Sequence, residues 1–269
     1  MPKWRIILGG LGRRVAQAVK GSVFAVQDYS QLSIAGVRAL FTRPRYPNEV
    51  LAQMDSLGVG SLAIVVMTGM FTGMVLALQS SATLDVFGAR NYVGRLVCVS
   101  MVRELGPVLT ALMVTGRVGS GMAAELGSMV VTQQIDALRV MGTDPVRRLV
   151  APRIGAALVM IPILTIISNA LGIFGAGLIS VFSLKLSWVY YWRSVGSALG
   201  VNDVIMGLSK PVVFGFILAS VGCYMGLSTR GGTQGVGVST TRSVVVGSVL
   251  ILVTDFFLTK VLFLVFPVS

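Results

Sequence analysis

The sequence predicts an all-α, polytopic integral membrane protein. Apolar residues make up 54% of the 269-residue chain and charged residues only 12%, against about 25% charged in a soluble globular domain. The mean hydropathy is +0.84. The apolar residues gather into five runs of spanning length, which for a helix means about 20 residues. Glycine is abundant at 32 residues, which suits close helix packing in lipid. The same composition excludes disorder, collagen and coiled coil.

Residues 1–50 are basic and too short in apolar run to span. Val15, Val19, Val23, Val26, Ile34, Val37 and Phe41 fall on one helical face, with Arg14, Asp28 and Arg43 on the other. This pattern predicts an amphipathic helix, either lying in the headgroup plane or packed on the protein's own spans. Pro44 and Pro47 end it. Lys3 and Arg5 precede an apolar run, Ile6–Leu8, that is too short for a signal peptide, so the segment is expected to stay in the mature protein.

The spans follow at roughly Leu57–Leu84, Leu96–Val118, Leu149–Leu184, Val212–Leu227 and Val244–Phe266. The third is long enough to tilt or kink and contains Pro162. Gly231–Gly237, GGTQGVG, lacks the strand context and the GK[ST] of a phosphate loop and reads as a flexible turn. Gly69 and Gly73 in the first span, and Gly222 and Gly226 in the fourth, have the spacing of a close helix crossing.

Five spans put the termini on opposite sides. The segments 1–50 and Arg117–Arg153 share a side and hold most of the arginines and lysines, whereas the other side has Arg90, Arg95, Lys185 and Arg193. The positive-inside bias places the first group in the cytoplasm. Trp188, Tyr190, Tyr191 and Trp192 are then belt residues of the outer side.

The net charge of +12 suits anionic lipid headgroups better than nucleic acid in so apolar a chain. There is no histidine, which removes HExxH zinc sites, Ser-His-Asp triads and histidine relays. Cys98 and Cys223 each lie in an apolar stretch and read as small hydrophobes, with no CxxC and no metal site.

Charges inside spans are costly and mark a cavity, a partner or a structural tie. Arg103 and Glu104 are such residues. They read either as a polar spot in a lipid-binding cavity or as groups that fix packing. As sequence neighbours they point about 100° apart, so they need not bond each other. Gly106-Pro107 behind them predicts a local helix break. Leu76 and Leu84 are candidates for an apolar cavity lining, with simple packing as the alternative. Asp255 in the last span needs a partner, and Lys260, Lys210 or another span is expected to supply it, with a proton-coupling acid as the alternative.

The connection from Gly116 to Pro152, GRVGSGMAAELGSMVVTQQIDALRVMGTDPVRRLVAP, carries a helical stretch from Met122 to Met141. Glu125, Gln133, Gln134, Asp136 and Arg139 interrupt it. Ala123, Ala124, Leu126, Ile135, Leu138 and Met141 supply apolar knobs. A helix of this mixed kind between two spans suits a protein partner, with a solvated loop helix as the alternative.

The stretch from Ala123 to Arg153 closely resembles the MlaE (YrbE-like) family of ABC-transporter permeases. The resemblance continues in GMFTGMVLALQ (Gly69 to Gln79), in LVCVSMVRELGPVLTALMVTGRVGSGMAAE (Leu96 to Glu125) and in TTRSVVVGSVLILVTDFFLT (Thr240 to Thr259). It covers roughly residues 45–266, so the chain divides into an interfacial helix, 1–50, and a permease domain, 51–269.

The resemblance implies a homodimer in a Gram-negative inner membrane, docked on cytoplasmic ABC ATPase subunits and a periplasmic MCE-domain hexamer. A small STAS-type subunit can accompany them. The assembly moves phospholipid between inner and outer membranes and so maintains outer-membrane asymmetry. Glu125 to Met141 would be the coupling helix, with Glu125, Gln133, Gln134, Asp136, Leu138 and Arg139 toward the ATPase. On that reading, replacing Glu125 or Asp136 uncouples transport and leaves the fold intact. The chain has no Walker A signature, so ATP and Mg belong to the partner ATPase and this chain binds no cofactor.

A membrane enzyme would need a nucleophile-base pair or an acid cluster, which ten scattered acids do not suggest. A channel or secondary transporter would favour inverted repeats, and none is visible.

Overall fold

In the computed structural model five helices are long and apolar enough to cross a membrane. The structure describes the backbone of residues 3–43 and 46–265, and within them the side chains from Lys20 onward apart from Ser22. The described residues form eight helices and no strand. These are α1 (Lys3–Phe41), α2 (Pro47–Asp85), α3 (Arg90–Val131), α4 (Gln134–Val140), α5 (Val146–Phe182), α6 (Trp188–Gly196), α7 (Val201–Leu227) and α8 (Gly232–Val265). The spans are α2, α3, α5, α7 and α8. At 39 residues α2 is about 58 Å long, so it projects well beyond a hydrocarbon core of about 30 Å.

The second half of α1 has three faces. Tyr29, Leu32, Gly36 and Leu40 turn toward the bundle, where Tyr29 Oη lies 2.9 Å from Ser220 Oγ and Leu32 and Leu40 pack on the core. Val23, Val26, Ile34 and Phe41 form an exposed apolar face. Lys20, Gln27, Gln31 and Arg38 form an exposed polar one. The apolar stripe predicted from sequence therefore points mostly outward, with Val37 half-buried, and a neighbouring face that includes Tyr29, Leu32 and Leu40 makes the protein contact. Val15 and Val19 lie outside the described side chains.

The tightest crossing joins α2 to α5. A Cβ on Gly73 would overlap the Gly172 carbonyl, and one on Gly69 would sit 2.7 Å from the Ser168 carbonyl oxygen. Backbone meets backbone here, which is how helices gain dispersion contact in lipid. Gly222 and Gly226 perform the same task between α7 and the end of α3, against Gly119 and Ala123.

Three expectations change. The helix does not break at Gly106-Pro107. Residues Met101–Leu105 widen into a π turn, and Gly106 N–H donates to the Met101 carbonyl, five residues back. The wider turn relieves the clash a proline imposes on the preceding turn. The fourth span starts eleven residues early, at Val201, because the charged Asp203 and Lys210 that interrupt its hydropathy are both buried and paired. GGTQGVG is mostly helix: Gly231 and Gly232, at φ +90° and +67°, make the turn, and α8 begins at Gly232.

The two ends of the bundle differ. One end carries Arg38, Arg43, Arg139, Arg147 and Arg148 with α4, and is called the basic end. The other carries Trp188, Tyr190, Trp192, Tyr92 and Phe87 with α6, and is called the aromatic end. On α6, Tyr191 points inward and its hydroxyl donates to the Ile173 carbonyl at 2.7 Å. Burial pushes this phenol above its ordinary range, and the Cys98 thiol adds to the effect. Trp188 and Tyr190 remain exposed, as belt residues should.

Candidate functional site

The π turn of α3 presents Arg103 and Glu104 about 20 Å from the Arg90 end of the helix by helical rise. They do not pair with each other. Arg103 Nε donates to Asp203 Oδ1 at 2.8 Å, and its Nη2 donates to the same oxygen. Asp203 Oδ2 accepts from Gly200 N–H at 2.9 Å, so this carboxylate also caps the start of α7.

Glu104 takes part in a second cluster. Lys210, about two turns further along α7, is 1% exposed. Its Nζ donates to Glu104 Oε2 and, at 2.7 Å, to Thr259 Oγ1. The Thr259 hydroxyl lies 3.3 Å from Glu104 Oε2. Asp255 Oδ1 is 3.0 Å from Lys210 Nζ as an ion pair, but off the hydrogen-bonding angle, which leaves that oxygen without a hydrogen bond. One ammonium thus ties α3, α7 and α8 together inside the membrane. Burial of an unpaired lysine there is prohibitive, and three partners offset its cost.

The five charges do not balance. Arg103 and Lys210 face Glu104, Asp203 and Asp255, which leaves one negative charge in excess. The cluster is closed on the lysine side and open at Glu104, whose side chain is 37% exposed.

Leu76 and Leu84 are half-buried against Ala77, Val93 and Ile173 near the aromatic end, within a single chain. Their packing role is visible and they do not join the cluster around Glu104. Asp203, Lys210 and Thr259 are the site members that sequence reading left out or named only in passing. Asp203 and Lys210 stand seven residues apart, hence on one helical face, a signal visible once α7 is known to start at Val201.

At the basic end the helix expected from Met122 to Met141 is divided. The span α3 runs on to Val131. Gln133 then takes a left-handed conformation, φ 59°, and α4 starts afresh at Gln134. Glu125 is therefore on α3. It accepts from Arg153 Nη2 at 2.8 Å, while Arg153 Nη1 donates to the Leu149 carbonyl. Ala123, Leu126 and Ile135 are buried within the chain and Leu138 is half-buried. Gln133, Gln134, Asp136 and Arg139 are exposed, with Asp136 and Arg139 paired at 3.0 Å. The apolar surface offered outward is Val140, 89% exposed, and Met141.

The profile of the family described as Permease MlaE matches residues 50–261. A probable ABC transporter permease protein of Rickettsia typhi is 40% identical over 239 residues, 89% of this chain and 92% of the relative. A probable ABC transporter permease protein of Synechocystis is 42% identical, covering 79% and 81%. The intermembrane phospholipid transport system permease protein MlaE of Haemophilus influenzae is 38% identical, covering 80% and 82%.

Proposed function

The chain belongs to the MlaE permease family, and from that premise we propose that it is the membrane subunit of an ATP-driven phospholipid transporter working between inner and outer membranes. As an ABC-transporter permease and a multi-pass membrane protein it supplies the path, and hydrolysis falls to ATPase subunits. The proposal extends to a homodimer in a Gram-negative inner membrane, an MCE-domain hexamer on the aromatic side and a STAS-type subunit on the basic side. ATP and Mg sit on the ATPase, and the transport keeps the outer membrane asymmetric.

The observation that carries this reading is the charge cluster open at Glu104. An apolar wall binds acyl chains, and the Glu104–Lys210–Asp255 cluster meets the polar end of the same molecule. Its excess negative charge favours a headgroup with an amine.

The basic end supplies the lever. Ile135 anchors α4 in the core, and the Glu125–Arg153 pair fastens the end of α3 to the start of α5. A push on α4 by a closing ATPase pair therefore moves α3 and α5 as a unit, and α3 carries Glu104. Exposed Val140 and Met141, beside Gln134, Asp136 and Arg139, form the docking face.

Native mass spectrometry of the protein purified gently from its host's membranes tests the reading. The expected particle holds two copies of the chain, two ATPase subunits, an MCE hexamer and phospholipid. A chain that retains no ATPase even under crosslinking would overturn it in favour of a channel or secondary transporter.

A further inference from the structure

At the aromatic end, with Arg95 about 14 Å from Glu104 by helical rise, a cleft of about 300 Å³ opens between the first turns of α3 and the helix α6. Arg95 and Arg193 line it, with Asn91, Tyr92, Tyr190 and Ser194 around them. The two arginines are 98 residues apart in sequence and are brought together by the fold. Gly94 permits this, because a Cβ there would sit 3.0 Å from the Tyr191 carbonyl oxygen. The Arg95 amide donates to Ser194 Oγ at 3.1 Å and locks the two elements together.

Among the described residues neither guanidinium has a carboxylate partner. The acids nearest in sequence are committed elsewhere, Glu104 to Lys210, Asp85 to Arg90 and Asp203 to Arg103. Basic residues are scarce at this end, with Arg90, Arg95, Lys185 and Arg193 as the set, yet two of the four share one cleft with no acid in its lining. Exposed Trp188, Tyr190 and Tyr92 mark the depth as that of the lipid headgroups. Arginine forks match phosphate oxygens two at a time, and the tyrosines and Asn91 add donors.

We infer that this cleft binds the phosphate of a net-anionic phospholipid headgroup in the leaflet at the aromatic end. It is a second lipid contact, separate from the central cluster, and it does not rest on the transport reading. The two positive charges select a net-anionic headgroup over a zwitterionic one.

The test is native mass spectrometry of the full chain in neutral detergent, titrated with phosphatidylglycerol and separately with phosphatidylcholine. The wild type is expected to retain phosphatidylglycerol more tightly than phosphatidylcholine. Each of R95Q and R193Q should weaken that binding about fivefold, the worth of one basic side chain at a membrane surface, and the double variant should abolish the preference. K185Q removes a charge at the same end outside the cleft and should leave retention unchanged. R95K with R193K keeps the charge but loses the forked geometry, and should retain only part of the preference. The single variants decide the matter even if the double variant does not purify. Equal retention in R95Q, R193Q and wild type overturns the site, as does an equal loss in K185Q. Displacement of the lipid by millimolar inorganic phosphate, but not by chloride at the same ionic strength, overturns the lipid as the source and gives the cleft to free phosphate.

Discussion

Lys210 Nζ lies 3.0 Å from Asp255 Oδ1 and also holds Glu104, so a single buried ammonium separates two carboxylates inside the membrane. Replacing it with methionine, of similar length, leaves those carboxylates to face each other. Breaking a buried pair from one side costs about 3–5 kcal/mol. K210M should therefore lower the unfolding midpoint in detergent sharply. The triple variant K210M/E104Q/D255N, which removes the charges together, should recover most of the loss. A midpoint for K210M equal to wild type would show that the cluster does not bear on stability.

Asp203 has two tasks, the ion pair with Arg103 and the cap on α7. D203N keeps a capping oxygen and loses the charge, whereas D203A loses both. D203A should be less stable than D203N by about 1 kcal/mol, the worth of a cap. Thermal unfolding of the two variants side by side measures the difference.

Gly73 has no room for a side chain against the Gly172 carbonyl. G73V should separate α2 from α5 and cost about 1–3 kcal/mol through overpacking. A substitution at Gly116, where an added Cβ would meet nothing within 4 Å, is the matched control and should be near neutral.

Among the described residues, Glu125 is the only acid that the buried Arg153 holds. E125A leaves that guanidinium with the Leu149 carbonyl and an unpartnered Nε. Loss of a charged hydrogen bond on a half-open pair should cost about 1–3 kcal/mol. The sequence suggested that this residue could be changed with the fold intact; the pairing predicts a measurable drop in thermal stability instead.

Val140 and Met141 touch solvent. V140D/M141E should leave the melting temperature within error and abolish stimulation of the partner ATPase. Normal coupled transport in that variant would remove α4 from the docking face.

The class of protein, its five spans and the helical character of residues 3–41 were readable in the sequence. So were the GxxxG crossings and the need of Asp255 for a partner, though not which residue supplies it. Each depends on composition or on spacing along one helix, which a linear string records. The family resemblance was readable for the same reason, as ordered local blocks.

What only the tertiary structure decided is which charges meet. Hydropathy is a sum over neighbours, so it cut α7 short at Lys210 and hid Asp203, whose cost is offset by residues a hundred positions away. It could not say that Arg103 and Glu104 part company, one to each end of the same helix face of α7. Nor could it show that Glu125 stays on α3, since only a left-handed Gln133 ends that helix. Local sequence sets what must leave water. In lipid, the partner that makes a buried charge affordable is chosen by the packing of helices, and that choice is not local.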